Sequence, residues 1–525
     1  MRIGVLVDGS SVTRWQADAL ARLGGEHELR IYNCINAPAP RRRFRHWPYY
    51  LLNLVSLRSD QTRGVALTAD VQFECEIDGA WQRLPENLLD RLLADGIQII
   101  VKFGLGLLRV PHGDRLPIPI LSYHHGDPRH FRGRPAGFYE LLLGRPTVGQ
   151  VVQRLSDRLD AGGVVAFAET RAMPHSYRAT MREAYATSLL LLPKAIAAVR
   201  AGRTLDLVPD GKVTRLPSLW TVLRFAAQRA AAKFRRLAYG AFVEKQWQVA
   251  IAPSEGPLDL EHFPSPGSWR TVARPPGYRF LADPFPHPDA EGMLVEALRS
   301  STGIGEILHI GSGGNATILS GAGHFSYPAS LVTDDGAFLL PETCEWSQPR
   351  LYRFGPDGAQ DAGVLKLDRP ARLVDPTLLA HGGRIYLFAN DFAEGDFVLR
   401  LWGAASLHER FDEHPASPIL ISPRGGRMGG LPIARAGSLY RVGQDGSGRY
   451  GDGIMLFRIE ELSATDYRES FVDQLRFGEC RGPHTLNASR SGVLFDFYRD
   501  GVDLLAGARR IKGRLARRPA PVSER

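Results

Sequence analysis

At 525 residues, with 44% hydrophobic and 23% charged side chains, the chain has the composition of an ordinary globular protein and exceeds what one core supports, so two or three domains are expected. No apolar run approaches the roughly 20 residues that span a bilayer, and Asp8 closes the short run from Ile3 to Val7 as the end of a buried first strand, which argues against a secretory leader and for the cytoplasm. Four cysteines (Cys34, Cys75, Cys344, Cys480) without CxxC spacing predict neither a disulfide framework nor a metal site, and the formal charge of +9 comes without a nucleic-acid motif, so no nucleic-acid partner is expected.

The first two hundred residues alternate strands with helices. Ile3 to Val7 reads as a strand, Val12 to Leu23 as a helix and His27 to Tyr32 as a second strand. A basic, aromatic insertion follows, with Arg41, Arg42, Arg43 and Arg45 beside Trp47, Tyr49 and Tyr50. Leu88 to Leu93 reads as helix, Ile97 to Val101 and Ile118 to Tyr123 as buried strands, and Thr180 to Val199 as one long helix. This order predicts an α/β domain over residues 1–202 with a doubly wound, mostly parallel sheet. Asp8-Gly9-Ser10-Ser11 is not the GxGxxG fingerprint, so a dinucleotide site is not expected.

The densest polar constellation is Ser122-Tyr123-His124-His125-Gly126-Asp127, with Arg132-Gly133 shortly after. It follows a predicted strand, and ligands in open α/β sheets sit beyond the carboxyl ends of strands. Further on, Asp160-Ala161-Gly162 places an acid before a flexible turn. One histidine and one carboxylate outline a general-base pair, the acid fixing the tautomer and supporting the imidazolium. Adjacent histidines at a strand end also serve simply to hydrogen-bond nearby carbonyls, and spacing alone leaves both readings open.

Residues 203–250 read as a basic helical linker, where Arg224, Arg229, Lys233, Arg235 and Arg236 are interleaved with Trp220, Phe225 and Phe234. Two readings suit it: a solvated inter-domain helix, or a helix lying on an anionic membrane surface. The tail 509–525 is basic and expected to be disordered.

From 251 to 508 the texture changes to short strands with frequent Gly and Pro. Five times a turn glycine precedes a short alternating strand that ends in a polar or acidic group: at Gly292, Gly336, Gly383, Gly437 and Gly492, which lie 44, 47, 54 and 55 residues apart. That is the length of a four-stranded blade, and the period predicts an all-β five-bladed propeller in preference to an irregular sandwich. Asp283-Pro284, Pro341-Glu342 and Asp375-Pro376 flank the first three repeats. Aimed at a central channel, such carboxylates suit glycoside hydrolysis; Asp-Pro also simply initiates turns.

Ser122-x-His124, Arg132-Gly133 and Asp160-x-Gly162 resemble the 10-formyltetrahydrofolate-dependent formyltransferases, which act on methionyl-tRNA and nucleotide-sugars. The resemblance covers residues 1–200. It implies His124 and Asp160 as the catalytic pair, with Ser122 in place of the family asparagine and His125 as another source of a hydrogen bond to the oxyanion. It also implies 10-formyltetrahydrofolate as formyl donor, received by Phe103, Gly104, Leu105, Gly106 and Leu107, with Asp127 and Arg132 near the acceptor. Ala282-Asp283-Pro284-Phe285, Phe325-Ser326-Tyr327-Pro328, Pro341-Glu342 and Asp375-Pro376-Thr377 resemble the N-terminal propeller of plant glucosamine inositolphosphorylceramide transferases and, more distantly, glycosidase propellers. The second resemblance implies a sugar-sized pocket built on Asp283, Glu342 and Asp375, with Arg279, Glu306, Tyr327, Arg427 and His484 completing it. Together they imply a formyltransferase acting on an amino sugar, nucleotide-sugar or glycan. The alternatives are a glycosidase or transglycosidase, and a carbohydrate-binding protein with a silent transferase domain.

Overall fold

The computed structural model describes residues 1–37, 43–79, 81–110, 117–253, 268–321, 323–343, 346, 348–355, 358–490 and 492–516, with side chains to 511. Arg41, Arg42, Cys344 and most of the basic tail therefore lie outside the described residues. The chain forms two compact units, Met1–Arg236 and Leu237–Arg525.

The first unit is built on a seven-stranded sheet. Its strands are β1 (Arg2–Val7), β2 (Glu28–Cys34), β3 (Val71–Phe73), β4 (Ile99–Lys102), β5 (Ile120–His124), β6 (Thr147–Arg154) and β7 (Val164–Arg171), in the order β7-β6-β5-β4-β1-β2-β3. The five from β3 to β5 are parallel, while β6 and β7 are antiparallel additions. Ile3, Val5, Leu6, Ile99, Ile100 and Val101 are buried, as a sheet covered on both faces requires. The order reverses between β1 and β4, which opens a crevice at their carboxyl ends.

Helices α1 (Arg14–Ala21), α2 (Trp47–Ser56), α3 (Glu86–Ala94), α4 (Phe138–Leu142), α5 (Tyr177–Ser188) and α6 (Leu191–Arg200) complete the layers. The helix expected over 180–199 is thus two. Pro193 lacks an amide hydrogen and is tolerated only in a helix's first turn, so α6 starts afresh at Leu191.

The expected linker 203–250 is not a separate segment. Lys212–Thr214 pairs in parallel with Phe131–Gly133. Helix α7 (Leu219–Phe242) lays Val222 and Phe225 into the first unit's core, where Phe225 stacks on Phe138 with ring centroids 4.3 Å apart. Strand Val243–Ala252 already belongs to the second unit, where it pairs with Gly492–Val502.

The second unit contains five antiparallel sheets of four or five strands, four of them following one another along the chain. The fifth joins its ends, setting Arg270–Thr271 and Val243–Ala252 beside Gly492–Val502 and Leu486–Ser489. All five repeat glycines open a strand with positive φ, from +73° at Gly383 to +129° at Gly492. That conformation suits the tight turn into each strand. Ala506–Ala516 is helical where a disordered tail was expected to begin. Among the described residues, no helix is long and apolar enough to cross a membrane.

Candidate active site

His124 ends β5 and Asp160 lies in the loop between β6 and β7. Their Nδ1 and Oδ2 atoms are 3.4 Å apart. The other ring nitrogen, Nε2, lies 3.2 Å from the Phe131 carbonyl, so both nitrogens face acceptors. Asp160 is held in turn by the Gly133 amide at 2.8 Å and Gln153 Nε2 at 3.4 Å. Its backbone φ is +44°, an unusual value for a non-glycine residue, and such outliers gather at functional sites. The Asp-x-Gly spacing has a steric reason: a Cβ at Gly162 would lie 1.8 Å from the Arg154 carbonyl. A Cβ at Gly126 would fall 2.6 Å from His124 Nε2 and 3.2 Å from the Phe131 carbonyl, so glycine there leaves room for the imidazole.

Sequence reasoning missed three neighbours. Ser122 on β5 stands in register between Lys102 on β4 and Gln153 on β6, so the three side chains share one face with His124. Burial lowers the Lys102 ammonium below its ordinary range, while Asp160 and Asp8 lie near enough to oppose that shift. Asp8, at the end of β1, accepts the Leu105 amide at 2.9 Å. The acid after the first strand and the cation closing Ile99-Ile100-Val101-Lys102 were visible signals.

The remaining candidates have definite surroundings. His125 sits in an aromatic cluster with Trp15, Tyr123 and Tyr185 and meets Ser188 Oγ at 3.0 Å. Burial, aided by His124, pushes its pKa down to about 3. Asp127 is buried and gripped by both Arg129 Nε and Nη2. Arg132 braces two loops, donating to the Gly211 carbonyl at 2.8 Å and the Leu159 carbonyl at 3.5 Å. Phe103 and Leu105 turn into the core, whereas Gly104 and Gly106 expose backbone and Leu107 is half-buried. A cavity of about 250 Å³ lies alongside, lined by Asp8, Ser11, Thr13, Gln16, Phe103 and Gly104.

The second unit gathers a separate polar cluster from all five sheets. Asp283, Tyr327 and Asp375 each precede a proline and adopt φ of +48°, +46° and +47°, at breaks in strand register. Bulges of this kind re-aim a side chain. Asp283 accepts from Thr485 Oγ1 and His484 Nδ1, the latter at 3.3 Å, and its own amide donates to Asp496 Oδ2 at 3.1 Å. Tyr327 Oη meets Thr377 Oγ1 at 3.1 Å and accepts the Gly430 amide at 2.9 Å. Asp375 is held by Arg427 and by Gln444 Nε2, and its amide donates to Glu342 at 2.9 Å. Burial and the neighbouring Asp375 raise the Glu342 carboxyl well above the usual range, against the pull of Arg427. Burial alone would lower His484, but Asp496 and Asp283 push it up to about 10.

Asp283, His484 and Asp496 place metal-type donor atoms within 4.8 Å of one another. His484, its pKa pushed up to about 10, already supplies a positive charge there, and the Asp496 oxygens accept the His484, Thr485 and Asp283 amides. Arg279 and Glu306, expected in this pocket, lie elsewhere. Arg279 lines a cavity of about 1130 Å³ and binds Glu244, and Glu306 is gripped by Arg299 and Tyr278.

The first unit is thus an open α/β sheet with a histidine–carboxylate pair at its strand ends. The second is built mainly of antiparallel sheets, and its buried Asp283, Asp375 and Asp496 meet largely buried cationic side chains. Residues 280–496 match the family described as glucosamine inositolphosphorylceramide transferase 1, N-terminal. The protein of that name from Oryza sativa subsp. japonica is 29% identical over 259 residues, covering 43% of this chain and 34% of its own length. The one from Arabidopsis thaliana is 28% identical over 285 residues, covering 47% and 35%. The chain therefore spans about a third of the length of these curated relatives. Among solved structures, glycinamide ribonucleotide transformylase 1 from Symbiobacterium toebii aligns at 19% identity and TM-score 0.27, over 41% of this chain and 93% of its own. A 4-N formyltransferase from Francisella tularensis aligns at 11% and 0.27, over 44% and 87%.

Proposed function

We propose that the first unit transfers a formyl group to the amine of an amino sugar or nucleotide-sugar, and that the second is a closed five-bladed propeller that binds the carbohydrate. One observation carries the reading: the buried His124 ring lies 3.4 Å from Asp160 beside Ser122 and Lys102 at the strand ends. 10-Formyltetrahydrofolate, when bound, supplies an electrophilic formyl carbon. Asp160 orients His124 and balances its charge. His124, with Ser122 and the Lys102 ammonium, steadies the negative oxygen that develops when the amine nitrogen attacks that carbon. The proton lost by the amine passes to solvent or to an imidazole freed from the Phe131 carbonyl, and the formyl carbon's bond to the donor nitrogen breaks as that nitrogen takes up a proton and leaves in tetrahydrofolate. Exposed backbone at Gly104 and Gly106 receives the donor's heterocycle.

His124→Ala and Asp160→Asn are expected to lower formyl transfer to amino nucleotide-sugars, followed by mass spectrometry, by about 10²–10³-fold with the far-UV dichroism unchanged. Unaltered turnover in both variants would remove the site. A second reading, glycoside cleavage by the second unit, draws on the Glu342 carboxyl, raised by burial and by the neighbouring Asp375. Sugar release that Asp283→Asn abolishes would favour it.

A further inference from the structure

Helix α7 has two apolar faces, and the core explains only one. Val222, Phe225 and Ala232 are buried. On the opposite side Trp220, Leu223, Ala227, Ala230 and Phe234 recur at three- and four-residue spacing, the period of a continuous helical stripe. Trp220 is 77% exposed, Phe234 72% and Leu223 48%. Arg224 and Arg235 border the stripe on one side and Lys233 on the other, and no acidic residue occurs between Leu219 and Phe242. Helix α2 repeats the arrangement. Tyr49 packs in the same core cluster, while Trp47, Leu51, Leu54 and Val55 stay exposed, with Phe44 just ahead of them. Tyr49 and Phe225 both pack against Phe138, and His46 Nδ1 lies 3.0 Å from the Pro217 carbonyl just before α7. Arg43, Arg45 and Arg58 are exposed beside α2, and the one exposed acid just beyond, Asp60, is paired with Arg63.

We propose that α2 and residues 219–236 of α7 form a docking surface for an anionic lipid bilayer, with Trp220, Phe234 and Trp47 entering the headgroup boundary and the arginines meeting lipid phosphates. Aromatic and aliphatic side chains in one stripe, rimmed by cations and free of acids, are the composition of a helix that lies in the interface plane without crossing it. The charge pattern favours negatively charged lipid over a neutral surface, since each juxtamembrane cation adds attraction to an anionic leaflet. A second copy of this chain would bring the same basic rims face to face. The inference does not depend on the catalytic reading.

The test uses the full chain in vesicle flotation, comparing phosphatidylcholine alone with phosphatidylcholine mixed with phosphatidylglycerol. Binding is expected to the mixed vesicles only and to weaken as salt is added. The variants Trp220→Ser/Phe234→Ser and Arg224→Glu/Arg235→Glu change only exposed side chains, and each is expected to lower partitioning by about tenfold or more with an unchanged melting curve. Three results would overturn the proposal: no flotation with either vesicle, equal flotation with both, or concentration-dependent self-association that the same substitutions abolish.

Discussion

The two polar clusters of this protein solve opposite problems. Around His124 the groups are incompletely matched: Lys102 has its ammonium lowered by burial, and Ser122 stands between it and Gln153. In the second unit Asp283, Asp375 and Asp496 each meet a largely buried cationic side chain. Asp375 has Arg427 and Gln444, and Asp283 and Asp496 share His484. Removing one member of a matched buried pair leaves an uncompensated charge, whereas trimming an unmatched group strands nothing. The first cluster is therefore expected to be sensitive in activity and tolerant in stability, and the second the reverse.

The sharpest break comes from Asp375→Ala. It leaves the largely buried Arg427 guanidinium only the more distant Glu342, 3.8 Å away, and the unfolding free energy of the second unit should fall by up to about 3–5 kcal/mol in denaturant titrations. A loss below about 1 kcal/mol would mean that the matching is not what holds the cluster. Next is the pH response of His484. Its folded pKa of about 10 exceeds the ordinary 6.5, so its stabilisation is complete below about 6.5 and is lost as the pH rises through about 10. The stability gap between the wild type and His484→Gln should therefore shrink by on the order of a few kcal/mol between those limits. A gap independent of pH would show that His484 is not held protonated by Asp283 and Asp496.

Much of this contrast is written in the chain in a form that can be read. Asp283, Tyr327, Asp375, Arg427 and His484 each stand eight to ten residues before a repeat glycine, so the period that predicts the sheets also indexes the residues that meet. The last repeat is less direct: Asp500 near the end of its strand is exposed, while the acid in the cluster is Asp496 in the middle of it. β6 was not anticipated because Gln150 and Gln153 interrupt its apolar pattern. Both are buried and bonded, Gln150 to the Val148 carbonyl and Thr170 and Gln153 to Asp160 and the Gly162 amide. Helix α7 read as a linker because its basic residues mask the apolar face that meets Phe138, a partner far earlier in the chain. The pairing of His124 with Asp160 followed from resemblance, since neither periodicity nor spacing brings a strand end to a distant loop. Lys102 was passed over because a charge closing an apolar strand looks like an ordinary exit to solvent.

Lys102→Met makes the smallest change in stability and separates the two clusters most cleanly. The ammonium leaves no ion behind that depends on it alone. Asp160 keeps Gly133, Gln153 and His124, and Asp8 keeps the Leu105 amide. Because burial already disfavours the charged form, replacing it with an apolar chain of similar length should shift the melting free energy by less than about 1 kcal/mol. Formyl transfer should nevertheless fall by about tenfold or more, through kcat and not KM, if the cation faces the developing oxyanion. A stability loss comparable to that of Asp375→Ala would place Lys102 among the matched ions and erase the contrast between the units. Full turnover in a stable Lys102→Met protein would instead leave His124 and Ser122 as the groups that meet the oxyanion.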